Sequence, residues 1–522
     1  MPRFQFTLAA MMVVVALAAL CCRLLGFWFD NPWLQPLVVI SLPLVLAVLI
    51  VEWDGTSRLQ DAGESWSDWL RRVRMHVPAS RVSTHRHADS ILPTPVPLES
   101  FQRFTGPTST TLEGFDLSDE PASKHEPLSI PLPATANLQV PHSIAKLTIE
   151  AIEVTIVKLP CKATFHLSGG DFSQVGQPTP RALVKVVGSN GVVGWGEVTP
   201  CPTWCYETSE TITSTIRKYL APAIVGMPAW NLDAIMRKME RVINPGATIG
   251  QPLAKSGIDI AIHDMLARML DVPVHVLLGG KRLDKIQLSY IVSAKDADEA
   301  AGQAKRGLEL GYSAFKIKVG LHGEETDFSI VSAVYETAPK GTFLWVDANQ
   351  GYGLDNAIRQ AKRMATLGVA AFEQPLKGSR PSEFRRLVDL GAVPIAIDES
   401  LCSPTDLMEY IKAGAVDLPV AKVQRCGGLW WSRQFCHVAE AAGLRLMGSG
   451  LCETDLGLAT GVHLFAAFGI DLPCDLNGRQ FVESAYLSKT VTIENGWATV
   501  PVSPGIGVVV DESEIRKLDA GI

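Results

Sequence analysis

Between residues 288 and 476 one pattern recurs: a short apolar run ending in polar residues, followed by an amphipathic helical stretch. The runs fall at 288–292, 314–318, 343–347, 370–373, 394–398, 418–422, 444–448 and 473–476, about 25–30 residues apart. Strands that alternate with helices imply a parallel sheet, because a parallel neighbour is reached only through a crossover. Eight such units favour a closed (β/α) barrel of the TIM type over an open doubly wound sheet. No Gly-x-Gly-x-x-Gly follows a strand, and no Gly-x-x-x-x-Gly-Lys-Ser/Thr occurs, so dinucleotide and P-loop readings are poor.

Upstream the periodicity differs. Residues 146–157 alternate and are rich in β-branched side chains, and two further strands, 181–187 and 193–197, flank the turn Ser189-Asn190-Gly191. Helical patterns follow at 209–220, 232–242 and 254–270. The expected organisation is an α+β capping domain at 145–284 and a catalytic barrel at 285–522, whose C-terminal strand returns to the cap. Residues 54–144 are dominated by Pro, Ser, Thr and His without sustained apolar periodicity, and read as a flexible linker. Ahead of it lie two apolar runs, 6–22 and 34–51. Met1 to Val51 carries only Arg3, Arg23 and Asp30 as charges, and Trp28, Phe29 and Trp33 sit between the runs. The expectation for 1–53 is a hairpin of two transmembrane helices, with a cleaved signal peptide as the rival reading of the first run. Arg3 before the first span and Arg71, Arg72 and Arg74 after the second place both ends in the cytoplasm. The chain is thus expected to be anchored in the inner (cytoplasmic) membrane with its catalytic part in the cytoplasm.

Composition removes other classes. Lys and Arg number 47 against 54 Asp and Glu, a net charge of -7, which offers no field for nucleic acid. The 10 cysteines have no framework spacing, which fits a reducing compartment. Cys201-x-x-x-Cys205 has no second Cys/His pair nearby, so zinc is not expected.

In a barrel of this kind the reactive groups stand at the carboxyl ends of the strands. The second run ends Lys316-Ile317-Lys318, the third Asp347-Ala348-Asn349, the fourth Glu373-Gln374-Pro375, the fifth Asp398-Glu399-Ser400 and the sixth in Lys422. One acid alone would be an ordinary helix cap or surface charge. Three on successive strands repel one another unless a cation joins them, and a hard divalent ion such as Mg²⁺ takes oxygen ligands. Lys316 and Lys318, two apart, share a face of their strand, with Lys422 across the site. A metal with lysines on both sides suits proton transfer next to a carboxylate, where the developing enolate needs positive charge.

At these residues the chain resembles the enolase superfamily, specifically the muconate lactonizing enzyme subgroup. Lys-x-Lys, Asp-x-Asn, Glu-Gln-Pro, Asp-Glu-Ser and the Lys422-to-Gly428 element (Lys-x-x-x-x-Gly-Gly) occur in that family's order over about 70% of the chain. The segments Ser256-Gly-Ile-Asp-Ile-Ala-Ile-His-Asp-Met and Leu277-Leu-Gly-Gly also look like the family's join between cap and barrel. The resemblance implies that Asp347, Glu373 and Asp398 ligate Mg²⁺, with Mn²⁺ as a substitute, and that Lys318 and Lys422 are the acid/base pair. It implies that Lys316 contacts the substrate carboxylate and favours the neutral amine on Lys318. Asn349 would support the metal site, and Glu399 would orient Lys422. Lysine on the sixth strand separates the chain from the mandelate racemase subgroup, which uses a histidine–aspartate pair. Two cap loops would choose the substrate, 161–172 with His166 and Asp171 and 199–207 with Trp204 and Tyr206, and the segments 448–455 and Asp475-Leu476-Asn477 would complete the pocket. Dipeptide epimerases carry Asp-x-Asp near the eighth strand, whereas this chain has Asp475-x-Asn477, a departure that weakens that reading.

The expected function is an Mg²⁺-dependent enzyme of the muconate cycloisomerase type acting on a small carboxylate through an enolate. Amino-acid or dipeptide racemization or epimerization, and hydroxyproline-type dehydration, share that intermediate and remain open. A non-catalytic scaffold held at the membrane is the alternative from another class; an eroded acid set or a missing lysine would mark it, and neither is seen. A homo-oligomer is the expected assembly.

Overall fold

The computed structural model describes residues 142–246, 250–378 and 380–521. The expected membrane hairpin and nearly all of the linker lie outside the described residues. Among the described residues, no helix is long and apolar enough to cross a membrane.

The cap is an antiparallel sheet of β1 (Ile149–Leu159), β4 (Thr179–Gly188) and β5 (Val193–Val198), in the order β1-β4-β5. Helices α1 (Ser209–Thr215), α2 (Leu232–Val242) and α3 (Pro252–Met269) accompany it. α3 packs against β5 so closely that side chains are excluded: a Cβ on Gly194 would sit 2.1 Å from the Ala261 carbonyl oxygen, and one on Gly196 2.2 Å from that of Gly257. This explains the Gly-Trp-Gly of β5. Between β1 and β4 the chain forms a two-stranded hairpin, β2 (Phe165–Leu167) with β3 (Gly170–Ser173), where the sequence reading placed a loop.

After β6 (Lys285–Gln287) comes a parallel sheet of seven strands in chain order: β7 (Tyr290–Val292), β8 (Ala314–Lys318), β9 (Phe343–Asp347), β10 (Ala371–Glu373), β11 (Ile395–Ile397), β12 (Leu418–Ala421) and β13 (Met447–Gly448). Helices α4 (Ala297–Glu309), α5 (Glu324–Thr337), α6 (Leu354–Ala365), α7 (Pro381–Leu390), α8 (Pro404–Ala413), α9 (Leu429–Ala441) and α10 (Asp455–Phe468) follow β7 to β13 in turn. The eighth expected strand, 473–476, is not formed as a strand. Cys474 makes a parallel bridge to Leu288 and Asp475 one to Ser449, so this segment touches both edges of the curled sheet through single residues. The chain ends against the cap, where Asp519 bridges Val157.

Alternation along the strands sorts their side chains. Phe315, Ile317, Leu344, Val346 and Phe372 join the large core shared with the helices. Trp345, Ala371, Ala396, Val420 and Met447 form a separate small cluster on the other face. Lys316, Lys318, Asp347, Glu373, Asp398 and Lys422 carry the same parity as that cluster. They therefore stand on the inner face at the carboxyl ends, above an apolar floor.

Glu207 sets the start of α3. Its N-cap, Gln251, makes no side-chain cap bond, and the Glu207 carboxylate instead accepts from Leu253 N at 2.7 Å and Ala254 N at 3.0 Å. Burial pushes this carboxyl up from 4.5 to about 7. The folded chain then keeps a proton that the unfolded chain has already lost, so stability falls as pH rises from about 4.5 to about 7. Glu207→Gln should flatten that part of the thermal-unfolding midpoint against pH; an unchanged slope would show that Glu207 is not a titrating group in this window.

Candidate active site

Strand register assembles the site. Lys318 is directly opposite Asp347, and Asp347 opposite Glu373, so three strand ends contribute one continuous row. Asp398 lies just beyond β11 and Lys422 just beyond β12. All of these side chains are at most 5% exposed. Buried charge is tolerated only when it is paired, and here the pairing is dense. Lys316 Nζ lies 3.0 Å from Asp347 Oδ2, 3.0 Å from Glu373 Oε2 and 2.8 Å from Asp475 Oδ2. Lys318 Nζ donates to Asp347 Oδ2 at 2.7 Å and Asn349 Oδ1 at 2.9 Å. On the far side Lys422 Nζ donates to Asp398 Oδ2 at 2.7 Å, and Arg425 holds Oδ1 of the same carboxylate.

The pairing moves the titrations. Burial alone would lower Lys316, but Asp347, Asp475 and Glu373 outweigh it and hold the ammonium well above the usual lysine range. Burial alone would raise Asp347, yet Lys316 and Lys318 hold it well below the carboxylate range. Glu373 goes the other way: burial and the charge of Asp347 push it up to about 7.

Backbone strain marks the same place. Asn349, Gln350 and Gln374 have positive φ, at 40°, 70° and 36°, immediately after Asp347 and Glu373. Side-chain bonds hold these turns. Asn349 N donates to Asp347 Oδ1 at 2.9 Å, and Asn349 Nδ2 to Glu399 Oε1 at 3.0 Å. Gln374 Oε1 accepts from Asp398 N at 3.0 Å, which ties the Glu373 turn to the Asp398 turn.

The cap closes the site from above. Trp204 Nε1 donates to Glu399 Oε1 at 3.1 Å, and the Lys422 ammonium lies 4.6 Å from the Trp204 ring centroid. The Lys318 ammonium lies 5.0 Å from the Phe165 ring, and the Lys316 ammonium 4.4 Å from Trp345 in the floor. The cavity beneath these rings measures about 30 Å³, room for a few waters at most.

The structure therefore gathers Lys316, Lys318, Asp347, Asn349, Glu373, Asp398, Glu399, Lys422, Asp475 and Trp204. It does not include His166. In β2, Phe165 and Leu167 point into the cavity and the residue between them points away. His166 Nδ1 pairs instead with Asp171 Oδ1 at 2.5 Å, both partly exposed. Tyr206 is also turned out, 49% exposed, with its hydroxyl accepting from Gln251 N. Arg425 was not foreseen; Phe165, Leu167 and Phe172 fall in the 161–172 loop and Gln374 in the Glu373-Gln374-Pro375 motif, but none of these four was given a role. The Gly169-Gly170 pair between two aromatic-containing runs was a hairpin signal that could have revealed the three apolar ones. Nothing around Arg425 in the sequence distinguishes a buried guanidinium from a surface one.

Asp347, Glu373 and Asp398 do not form a ready-made cage: among the described residues no three His, Cys, Asp or Glu side chains are gathered closely enough to hold a metal ion. Each carboxylate is turned to an ammonium or guanidinium. The donor set nevertheless fits a hard cation. Three carboxylates stand at successive strand ends, and oxygen ligands are what such a cation takes; Glu373 Oε2 is buried without a hydrogen bond although the Lys316 ammonium is nearby.

Comparison with known proteins gives the same outline. Residues 151–279 match the mandelate racemase / muconate lactonizing enzyme N-terminal domain, and residues 299–514 match the enolase C-terminal domain-like family. The chain is 30% identical over 374 residues to muconate cycloisomerase 1 of Rhodococcus opacus, covering 71% of this chain and 98% of that protein. It is 28% identical over 378 residues to N-succinyl-L-Arg/Lys racemase of Bacillus cereus, covering 71% and 98% respectively. The crystal structure of 2-chloromuconate cycloisomerase from Rhodococcus opacus 1CP superposes with a TM-score of 0.67 at 30% identity, over 71% of this chain and 99% of that one.

Removing Arg425 leaves Asp398 short of a partner in a dry site. Arg425→Ala should cost about 3–5 kcal/mol, the usual effect of breaking a buried pair from one side. Urea denaturation measures it; a loss below about 1 kcal/mol would mean that Lys422 alone satisfies Asp398.

Proposed function

This chain is an isomerase of the mandelate racemase / muconate lactonizing enzyme family, in the enolase superfamily, and from that premise we propose that it moves protons at the carbon next to a substrate carboxylate, using Lys318 and Lys422 on opposite faces. The observation that carries this reading is the placement of the two ammonium groups. They come from β8 and from the end of β12, with the strand-end carboxylates of β9, β10 and β11 between them.

Asp347, Glu373 and Asp398 would hold Mg²⁺ or Mn²⁺, which supplies positive charge next to an enolate oxygen. The chain's own groups do the rest. Lys316, fixed from below by the Trp345 ring, offers its ammonium to the substrate carboxylate. Lys318 Nζ removes or returns a proton from one side, steadied by Asn349 Oδ1. Lys422 Nζ does so from the other side, held by Asp398 and covered by Trp204. Trp204 and Phe165 keep water from both lysines, which strengthens every charge interaction beneath them. Cycloisomerization needs a proton delivered to one face; racemization or epimerization needs removal on one face and delivery on the other. The muconate cycloisomerase type leads because the first relatives carry that activity. For residues 1–53 we propose the membrane hairpin that their two apolar runs suggest, and alkaline carbonate extraction of membranes tests it.

The test is turnover in D₂O with Mg²⁺, using the full chain and a panel of carboxylates that includes cis,cis-muconate and N-acyl amino acids. Deuterium should enter the carbon next to a carboxylate, or lactone should form. Lys318→Ala and Lys422→Ala should each lower the rate by about 10³-fold, in the middle of the range usual for one acid/base group. Near-normal turnover in Lys422→Ala contradicts the two-lysine mechanism.

A further inference from the structure

The curled sheet has a second end, where its strands begin. Phe343, Pro394 and Leu418 stand two residues before Trp345, Ala396 and Val420 of the inner cluster. Alternation therefore points them to the same inner face, one layer lower. Phe343, Leu418 and Leu472 pack against that cluster from beneath, yet each keeps part of its surface exposed. Ala370 and Pro394, which lead into β10 and β11, add little bulk to the rim. A cavity of about 500 Å³ is left at this mouth, lined by these residues together with Asp417 and Arg445. Its size falls within the span of about 300–1,000 Å³ usual for small-molecule sites.

The charges at the mouth are unequally paired. Arg445 Nη2 donates to Asp471 Oδ1 at 2.8 Å, so the guanidinium is already engaged. Asp417 is half-buried, and its Oδ2 accepts from a neutral donor, Ile395 N, at 2.8 Å. One guanidinium thus stands with two carboxylates, and the three groups sum to one negative charge. An anionic ligand would meet Asp417 and Asp471 with Arg445 already spent. A neutral apolar ligand would take water from Asp417 without giving it a counter-charge. A cation on an apolar body answers both walls at once.

We propose that the amino-terminal mouth of the barrel is a second ligand site, separate from the lysines and carboxylates of the candidate active site. It takes a small organic cation: an ammonium placed on Asp417 and carried by an aromatic or hydrocarbon body that lies against Phe343, Leu418 and Leu472. One layer of side chains separates such a ligand from the active site, because the Trp345 ring above it lies 4.4 Å from the Lys316 ammonium.

Benzylamine, protonated at neutral pH, and benzyl alcohol share a ring and differ in the charge of the head group. Each is titrated into the full chain and followed by ligand-observed NMR. Benzylammonium should bind saturably and about fivefold more tightly than the alcohol, or about 1 kcal/mol, as suits one partly exposed ion pair. Asp417→Asn keeps an oxygen for Ile395 N and should erase that preference. Arg445→Glu, at an exposed position, should tighten benzylammonium by about twofold or more and leave the alcohol unchanged. Ala370→Trp fills the mouth and should weaken both ligands; if that variant does not fold, Asp417→Asn decides. No saturable binding of benzylammonium, equal affinity for the alcohol, or a preference that survives Asp417→Asn overturns the proposal. Deuterium uptake at a substrate carbon tests the proton-transfer reading separately, so either can fail without the other.

Discussion

Everything at the carboxyl end of the sheet depends on one constraint: charges taken out of water must be neutralised by their neighbours. Lys316 is 1% exposed, and three carboxylates surround it within 3.0 Å. Asp398 is met by Lys422 and Arg425 together. Taken singly, each of these groups would shift its titration until it lost its charge. Taken together they keep it, and the balance is uneven: Asp347 is held low while Glu373 is pushed up to about 7. Within this network one Glu373 oxygen is left buried without a hydrogen bond.

The cluster exists because strand geometry carries it. Side chains two apart share a face, so the residue pattern that fills the floor with Trp345, Ala371, Ala396 and Val420 also aims Asp347, Glu373, Asp398 and Lys422 into the same space. The parallel register then aligns Lys318, Asp347 and Glu373 across three strands. Strained turns after β9 and β10 are pinned by Asn349 and Gln374, which ties each acid to the next strand end. The cap contributes the opposite quality. It lowers aromatic and aliphatic side chains over charged groups and keeps its own ions behind them.

Much of this was legible in the sequence, for a physical reason. β8 and β9 have the bounds expected from their apolar runs, Ala314–Lys318 and Phe343–Asp347, because a strand buried on both faces must be nearly all apolar until it reaches its functional end. The run at 473–476 looked similar but makes only single-residue bridges. Pro473 has no N–H to give, and Cys474 and Asp475 bond to different neighbours, Gln287 and Gly448. The clustering of these charged residues was readable because acids and lysines at strand ends stand out against apolar runs. His166 misled for the converse reason: a polar residue in an assumed loop suggests a contact, whereas hairpin alternation turns it outward and gives the cavity to Phe165 and Leu167. Arg425 was invisible because its burial arises from tertiary packing, and no local pattern announces it.

The central claim is that the strand-end carboxylates form a seat for one divalent cation between two lysines. A crystal structure of the full chain grown with Mg²⁺ tests it most directly. The account predicts one ion bound by Asp347, Glu373 and Asp398 at about 2.0–2.1 Å, with Lys318 and Lys422 nitrogens on opposite sides of the space above it. An ion bound elsewhere, or all three carboxylates still paired with Lys316, Lys318, Lys422 and Arg425 at saturating Mg²⁺, would contradict it.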